Sequence, residues 1–432
     1  MLRYICCICI VVFLKNNWCK LNYFIMILLT LVCTLFGFFL WLKVSHSYKT
    51  PINHVNFFSL SWLTVLLGSI IFPLDVRILP YTYLILICAW IFFLLGSLIL
   101  STTTDVVEVE SFEYNYKRIK IVLYFLVIFS FLAYLFSLGD IISNVSNLEA
   151  WASIRGERVF ADATSENIFY TLFARNYGLY IPIAFFLFVK KEINKKVLTI
   201  IVIYGVITSV INFSRAPLLE LIIISFVSLM LIKDSKKIPI FWILFVISGF
   251  VLLFIFSQSL LFSLNDYSVF DANYQIKMYL FGSISNYQLI LDGLYPDNLT
   301  YSSPFYSLDF INYILKRLDI IYSYPDQIRE FNDYIDGSNV YTFLDAFTLD
   351  FGVFGAFLGS FILGYFSKRI YLQYIQTRTI QSLIVYSLLC YFSIMAYINN
   401  EYIRFAFLLF ILKATFVEYI IRMRLKTKNS ID

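Results

Sequence analysis

LNYFIMILLTLVCTLFGFFLWL, residues Leu21 to Leu42, runs for 22 positions without a charged side chain. Wound as an α-helix it rises about 33 Å, enough to cross the roughly 30 Å hydrocarbon core of a bilayer. The run is continuously apolar instead of alternating over about ten residues, which predicts a membrane helix and excludes a barrel strand. Outward from it, runs of the same kind recur at Val55 to Phe72, Tyr81 to Leu100, Ile119 to Leu138, Ile168 to Val189, Val197 to Asn212, Pro217 to Ile232, Ile238 to Phe262, Phe343 to Phe366, Ile380 to Ile398 and Tyr402 to Ile421. Those make eleven expected spans. A shorter run, Tyr4 to Leu14, reads as a short twelfth span, an uncleaved signal-like anchor, or sequence upstream of the true start.

The composition agrees with this class. The chain is 60% hydrophobic and 20% aromatic with 14% charged residues and a mean hydropathy of +0.79, too apolar for a water-soluble protein of 432 residues. The expected fold is therefore an all-α polytopic membrane protein of about 11–12 transmembrane helices. The net charge of +5 does not signal nucleic acid, because the cations sit in links between spans. The seven cysteines, Cys6, Cys7, Cys9, Cys19, Cys33, Cys88 and Cys390, lie in or beside apolar runs and show neither a disulfide framework nor zinc-ligand spacing. No cofactor and no metal is expected.

Basic residues in short links set the orientation. Lys43 and Lys49; Lys117, Arg118 and Lys120; Lys190, Lys191, Lys195 and Lys196; Lys233, Lys236 and Lys237; Lys368, Arg369 and Arg378; and the tail Arg422, Arg424, Lys426 and Lys428 fall on every second link. These links are expected on the cytoplasmic side, with a cytoplasmic C-terminus. Three regions follow: residues 1–262, an N-terminal bundle with an outer loop at 139–167; residues 263–342, a large outer loop; and residues 343–432, three spans and the tail. The large loop carries ten acidic against four basic residues. In it, Phe305, Leu308, Ile311, Leu315, Leu318 and Tyr322 recur at helical spacing, with Asp309, Asn312, Lys316 and Asp319 on an adjoining face. That pattern predicts an amphipathic helix, too polar to span, lying on the outer surface or against the bundle, and Gln275 to Leu291 shows a weaker version.

On the expected outer side the cations are mostly arginines: Arg77, Arg155, Arg158, Arg175, Arg215, Arg317, Arg329 and Arg404. Guanidinium pairs bidentately with phosphate and carboxylate, and arginine at a membrane edge points to an anionic partner. Structural ion pairing, as of Arg155 or Arg158 with Glu157 and Arg404 with Glu401, is the alternative for single members. Arg215 stands in Asn212-Phe213-Ser214-Arg215-Ala216-Pro217, a tight hairpin where Pro217 suits the first turn of a helix whose free N–H groups also favour an anion. Trp151 precedes Arg155 and Arg158 in the smaller outer loop, as a phosphate clamp or an interfacial anchor.

Beyond the large loop comes Tyr341-Thr342-Phe343-Leu344-Asp345-Ala346-Phe347-Thr348-Leu349-Asp350-Phe351-Gly352-Val353-Phe354-Gly355. Carboxylates inside a span are costly unless paired, hydrogen-bonded or functional. Asp345 and Asp350, five apart, do not share a helix face. Gly352, Gly355, Gly359 and Gly364 are read as small residues that let helices approach closely.

The arrangement resembles the oligosaccharide repeat-unit polymerases, the Wzy-type O-antigen polymerases. The resemblance spans nearly the whole chain: the span count, the smaller and larger outer loops, Ser214-Arg215 at an outer hairpin, and a run of Thr342, Asp350, Phe351, Gly352 and Gly355. It departs from the family where none of Arg155, Arg158, Arg317 and Arg329 is followed by Gly eleven positions on. What the resemblance implies is transfer of a growing chain from undecaprenyl pyrophosphate to the terminal sugar of a new lipid-linked repeat unit. This would take place on the outer face of a bacterial inner membrane, without metal or nucleotide sugar. The implied pyrophosphate-binding residues are Arg215, Arg155, Arg158, Arg175 and Arg404, and the carboxylates for the acceptor proton are Asp350, Asp345 and Glu401. The implied partners are the lipid-linked oligosaccharide and membrane lipid, with room for a chain-length regulator protein and none for nucleic acid. A lipid-linked oligosaccharide flippase is the non-enzyme alternative, and an O-antigen ligase the other; the ligases use a histidine in the large outer loop, whereas the two histidines here are His46 and His54.

Overall fold

In the computed structural model, residues 23–72, 78–100, 114–142, 172–173, 176–211, 215–235, 272–294, 306–308, 311–312, 314–315, 318, 320, 341–398 and 405–422 are described. Eleven helices are found among them: α1 (Tyr23–His46), α2 (His54–Ile71), α3 (Pro80–Ile99), α4 (Tyr116–Ile142), α5 (Tyr177–Val189), α6 (Lys195–Ile211), α7 (Arg215–Ile232), α8 (Ala272–Leu291), α9 (Leu344–Thr377), α10 (Ile380–Met395) and α11 (Phe405–Arg422). No strand occurs among the described residues. Helices α1, α2, α3, α4 and α9 are long and apolar enough to cross a membrane, and α5, α10 and most of α7 form shorter apolar helices. The chain is an all-α polytopic membrane protein. The expected spans match helices closely, apart from the 168–189 run, of which α5 covers only Tyr177–Val189, α9, which runs past Phe366 to Thr377, and the 238–262 run, which lies outside the described residues, as does 4–14.

The chain forms two compact units. The first comprises Met1–Asp105, Val269–Leu372 and Phe392–Leu408. Here α1 is apolar all round, and its two faces are sorted by packing alone: Met26, Leu40 and Val44 are buried while Leu28, Leu31, Leu35 and Phe39 are exposed. Gly37 lets α1 settle on the buried Trp90 ring of α3, whose Nε1 donates to Ser59 Oγ of α2 at 2.9 Å. Phe58 of α2 stacks on Phe93 of α3 with centroids 3.9 Å apart. Helices α3 and α9 meet backbone to backbone, for a Cβ on Gly96 would lie 2.1 Å from Phe361 O and one on Gly364 2.1 Å from Phe93 O. Gly364 is thus the close-packing residue the sequence suggested.

The end of α1 explains a buried cation. Lys368 of α9 is fully buried, its Nζ 3.7 Å from the Tyr48 ring centroid and 3.2 Å from Ser47 Oγ, which itself donates to Val44 O in the last turn of α1. A helix C-terminus carries partial negative charge, and aromatic faces add cation–π attraction, so this ammonium is stabilised without a carboxylate.

The second unit comprises Val106–Ser268, Gln373–Tyr391 and Leu409–Asp432. Its centre is α5, buried from Tyr177 to Ile183 and packed on α4, α6 and α7. Ion pairs join Lys120 to Glu192 at 2.7 Å and Arg378 to Asp234 at 2.8 Å. Glu418 of α11 accepts from Tyr114 Oη, from Gln381 N in the first turn of α10 and from Arg422 Nε. Its negative charge suits that helix N-terminus.

Candidate functional site

Within the expected large outer loop, the weaker amphipathic pattern at Gln275 to Leu291 is the helix α8, and the correction concerns its burial. From Phe281 to Leu291 every residue of α8 is buried, including Ser283, Ser285, Asn286 and Gln288, and the helix packs on α2 and α3. A helix enclosed by protein need not be apolar, because it never faces lipid. The expected amphipathic helix at 305–322 also differs: Asn312 is fully buried while Leu318 is 63% exposed. The apolar period there does not mark the buried face.

Gln288 ties α8 to the start of α3. Its Oε1 accepts from Leu79 N at 3.0 Å and from Thr82 Oγ1, and its Nε2 donates to Tyr81 Oη and to Asp292 Oδ2 at 2.7 Å. Tyr81 Oη in turn donates to Asp292 Oδ1 at 2.6 Å. The two acceptor and two donor positions of the amide are all used. Leu79 offers no side-chain cap and Pro80 has no N–H, so Gln288 supplies the acceptor that the first turn of α3 lacks.

On α9 the two candidate carboxylates have different duties. Asp345 is fully buried in the first turn and accepts from Thr342 Oγ1, which also receives Leu344 N at 3.2 Å. Thr342 and Asp345 stand in the Thr-x-x-acid register of a helix start, where a carboxylate also meets the positive end of the dipole. One turn on, Thr348 Oγ1 and Tyr287 Oη of α8 are 3.0 Å apart. Asp350 is half-buried and grips the chain between α8 and α9: Oδ1 accepts from Tyr306 N at 2.9 Å, and Oδ2 from Ser307 N at 2.7 Å and from Ser307 Oγ. A carboxylate has about four acceptor positions, so one remains for an incoming proton donor.

Two residues beyond Asp350 the helix breaks. Gly352 has φ 66° and ψ −162°, a conformation essentially confined to glycine, and α9 resumes after it. This corrects the reading of Gly352 and Gly355 as helix-packing residues. Gly352 supplies a backbone angle, and Gly355 leaves room for the carbonyl of Phe347, which would lie 2.3 Å from an added Cβ. A fixed carboxylate, a broken helix and a polar buried helix therefore converge on the Thr342–Gly355 stretch.

Of the expected anion-binding residues, Arg215 is the first residue of α7, as its hairpin suggested. Arg155, Arg158, Arg175, Arg404 and Glu401 lie outside the described residues. Sequence reading did not single out Gln288, Tyr81 or Asp292: Tyr81 opened an expected span, and Gln288 and Asp292 fell within the expected large outer loop. It also passed over Lys413 and Glu220, which were visible as charges inside apolar runs. No family model, no curated protein and no solved structure matches this chain.

Proposed function

We propose that this protein is a lipid-linked glycosyltransferase of the Wzy type, polymerising oligosaccharide repeat units on the outer face of a bacterial inner membrane. The observation that carries the reading is the geometry of the Asp350-Phe351-Gly352 run. The residues that prompted the resemblance stand where α9 breaks and where Asp350 fastens the long connection from α8. Strained backbone held in place by a hydrogen-bonded carboxylate is a feature of sites that position a reacting group.

In the proposed reaction an acceptor sugar hydroxyl attacks the anomeric carbon of the chain carried on undecaprenyl pyrophosphate. The new glycosidic C–O bond forms as the bond to the pyrophosphate oxygen breaks. The hydroxyl proton passes to a carboxylate, and the electron pair leaves with undecaprenyl pyrophosphate. Asp350 is the carboxylate with an acceptor position to spare. Asp345, wholly buried in its cap, serves as a positioning residue. Arg215, the pyrophosphate contact that the resemblance implies, is the first residue of α7, and a helix start also favours an anion.

The surface polysaccharide of a deletion strain tests it. Lipid capped with a single repeat unit is the expected phenotype. Complete loss of repeat units from the outer face would instead mark a flippase, the second reading, which the broken α9 also suits because transporters place their sites at discontinuous helices. Long polymer left on undecaprenyl pyrophosphate would mark a ligase. Arg215→Ala is expected to abolish polymer at unchanged protein level; polymer of normal length in that strain removes Arg215 from the reaction.

A further inference from the structure

Lys413 is the ninth residue of α11, inside an apolar helix. Its Nζ donates to Leu172 O at 2.6 Å and to Asn176 Oδ1 at 3.2 Å, both uncharged acceptors, and no carboxylate pairs with it among the described residues. The other cations of this unit described above behave differently: Lys120, Arg378 and Arg422 each have an acidic partner. An ammonium group has three donors, and two of these are used. A charged group taken out of water and given only neutral partners is costly, and inside a membrane it points to function.

Its location raises that cost. Side chains on a helix lean toward the helix N-terminus, which carries the ammonium toward the Phe405 end of α11 and onto the first turn of α5. Asn176 is the N-cap of α5, yet its side chain caps none of that helix's N–H groups and accepts from Lys413 instead. The ammonium therefore meets the positive end of the α5 dipole, which repels it, besides the carbonyl of the helical residue Leu172. A cation and an uncapped helix N-terminus do share one kind of partner, an anion.

We propose that Lys413 is a contact for a phosphate-ester anion entering from the membrane. Under the polymerase reading, on which this assignment of source rests, that anion is the pyrophosphate of the lipid-linked substrate. The same chemistry would also accept a phospholipid headgroup.

The test uses the full-length protein in neutral detergent and measures its thermal stability with and without two probes, geranyl pyrophosphate and short-chain phosphatidylglycerol. Wild-type protein is expected to be stabilised by geranyl pyrophosphate, and Lys413→Met to bind it about ten-fold or more weakly, as for a lost charge-assisted hydrogen bond. Lys413→Arg is expected to keep most of the binding. Without a probe, Lys413→Met should melt at or above the wild-type temperature, because a half-buried charge exchanged for an apolar group of similar size removes a desolvation cost. Equal stabilisation by phosphatidylglycerol, lost in the same variant, supports the site and assigns the ordinary headgroup as its source. A Lys413→Met protein that melts lower and still responds fully to geranyl pyrophosphate overturns the proposal and leaves Lys413 a structural tie. None of these readouts needs turnover, so failure of the polymerase reading in the deletion strain is distinguishable from failure here.

Discussion

Lys368 is fully buried in one unit and Lys413 half-buried in the other, and neither has a carboxylate partner among the described residues. Lys368 reaches the C-terminal turn of α1 and sits on the faces of Tyr48 and Tyr371; Lys413 reaches the N-terminal turn of α5 and rests on two neutral oxygens. The helix dipole favours the first and opposes the second. One site is complete as it stands, and the other gains from an added anion. Composition alone does not separate a structural charge from a binding charge in a membrane protein; the polarity of the helix end it meets does.

Several substitutions would break or sharpen this contrast. The largest stability effect is expected for Lys368→Ala, which empties a fully buried position and removes both the cation–π contacts and the charge at the end of α1. A cost of about 3 kcal/mol follows from large-to-small replacement in a core, read as a clear fall in melting temperature in detergent. A melting temperature equal to wild type would show that the aromatic box closes without the ammonium, and the contrast with Lys413 would lose its structural half. Gln288→Leu comes next, at about 2 kcal/mol, since it leaves Leu79 N–H, the Thr82 hydroxyl and part of the Asp292 carboxylate without their partner. Proteolysis of the 72–80 connection is expected to quicken in that variant, and unchanged cleavage would mean that α8 does not hold the start of α3.

Gly352→Ala forces a Cβ onto a backbone that disfavours it, at a cost of about 1–3 kcal/mol. Under the polymerase proposal its effect on polymer length is expected to exceed its effect on protein level, and normal polymer would separate the break in α9 from the proposed reaction. Smallest of all is the stability change for Lys413→Met, within about 0.5 kcal/mol of zero and with the sign of a gain.

Legibility in the sequence divided along a physical line. Where a helix faces lipid, its composition must be apolar over about 20 residues, and α1 to α4 were readable to within a few positions. The hairpin at Arg215 was readable too, because Pro217 belongs in a first turn. Helix α8 was readable only as a weakly amphipathic helix, since Ser283, Ser285, Asn286 and Gln288 give no sign that protein encloses them. The glycines of α9 shared one sequence signature but serve two roles: Gly364 admits α3, whereas Gly352 turns the backbone. Asp345 and Asp350 were singled out correctly as costly charges, but their partners, a cap three residues away and a segment 43 residues away, belong to different levels of structure.

The sequence by itself determined the class of this protein, an all-α chain in a membrane, because lipid tolerates no exposed backbone and imposes a length on every apolar run. It also marked the charges that such a solvent makes expensive. Only the tertiary structure decided which of those charges are already compensated. Compensation depends on what the fold brings within about 3 Å, a carbonyl, a ring face or a helix end, and those partners come from positions up to 321 residues away in the chain, as for Lys368 and Ser47.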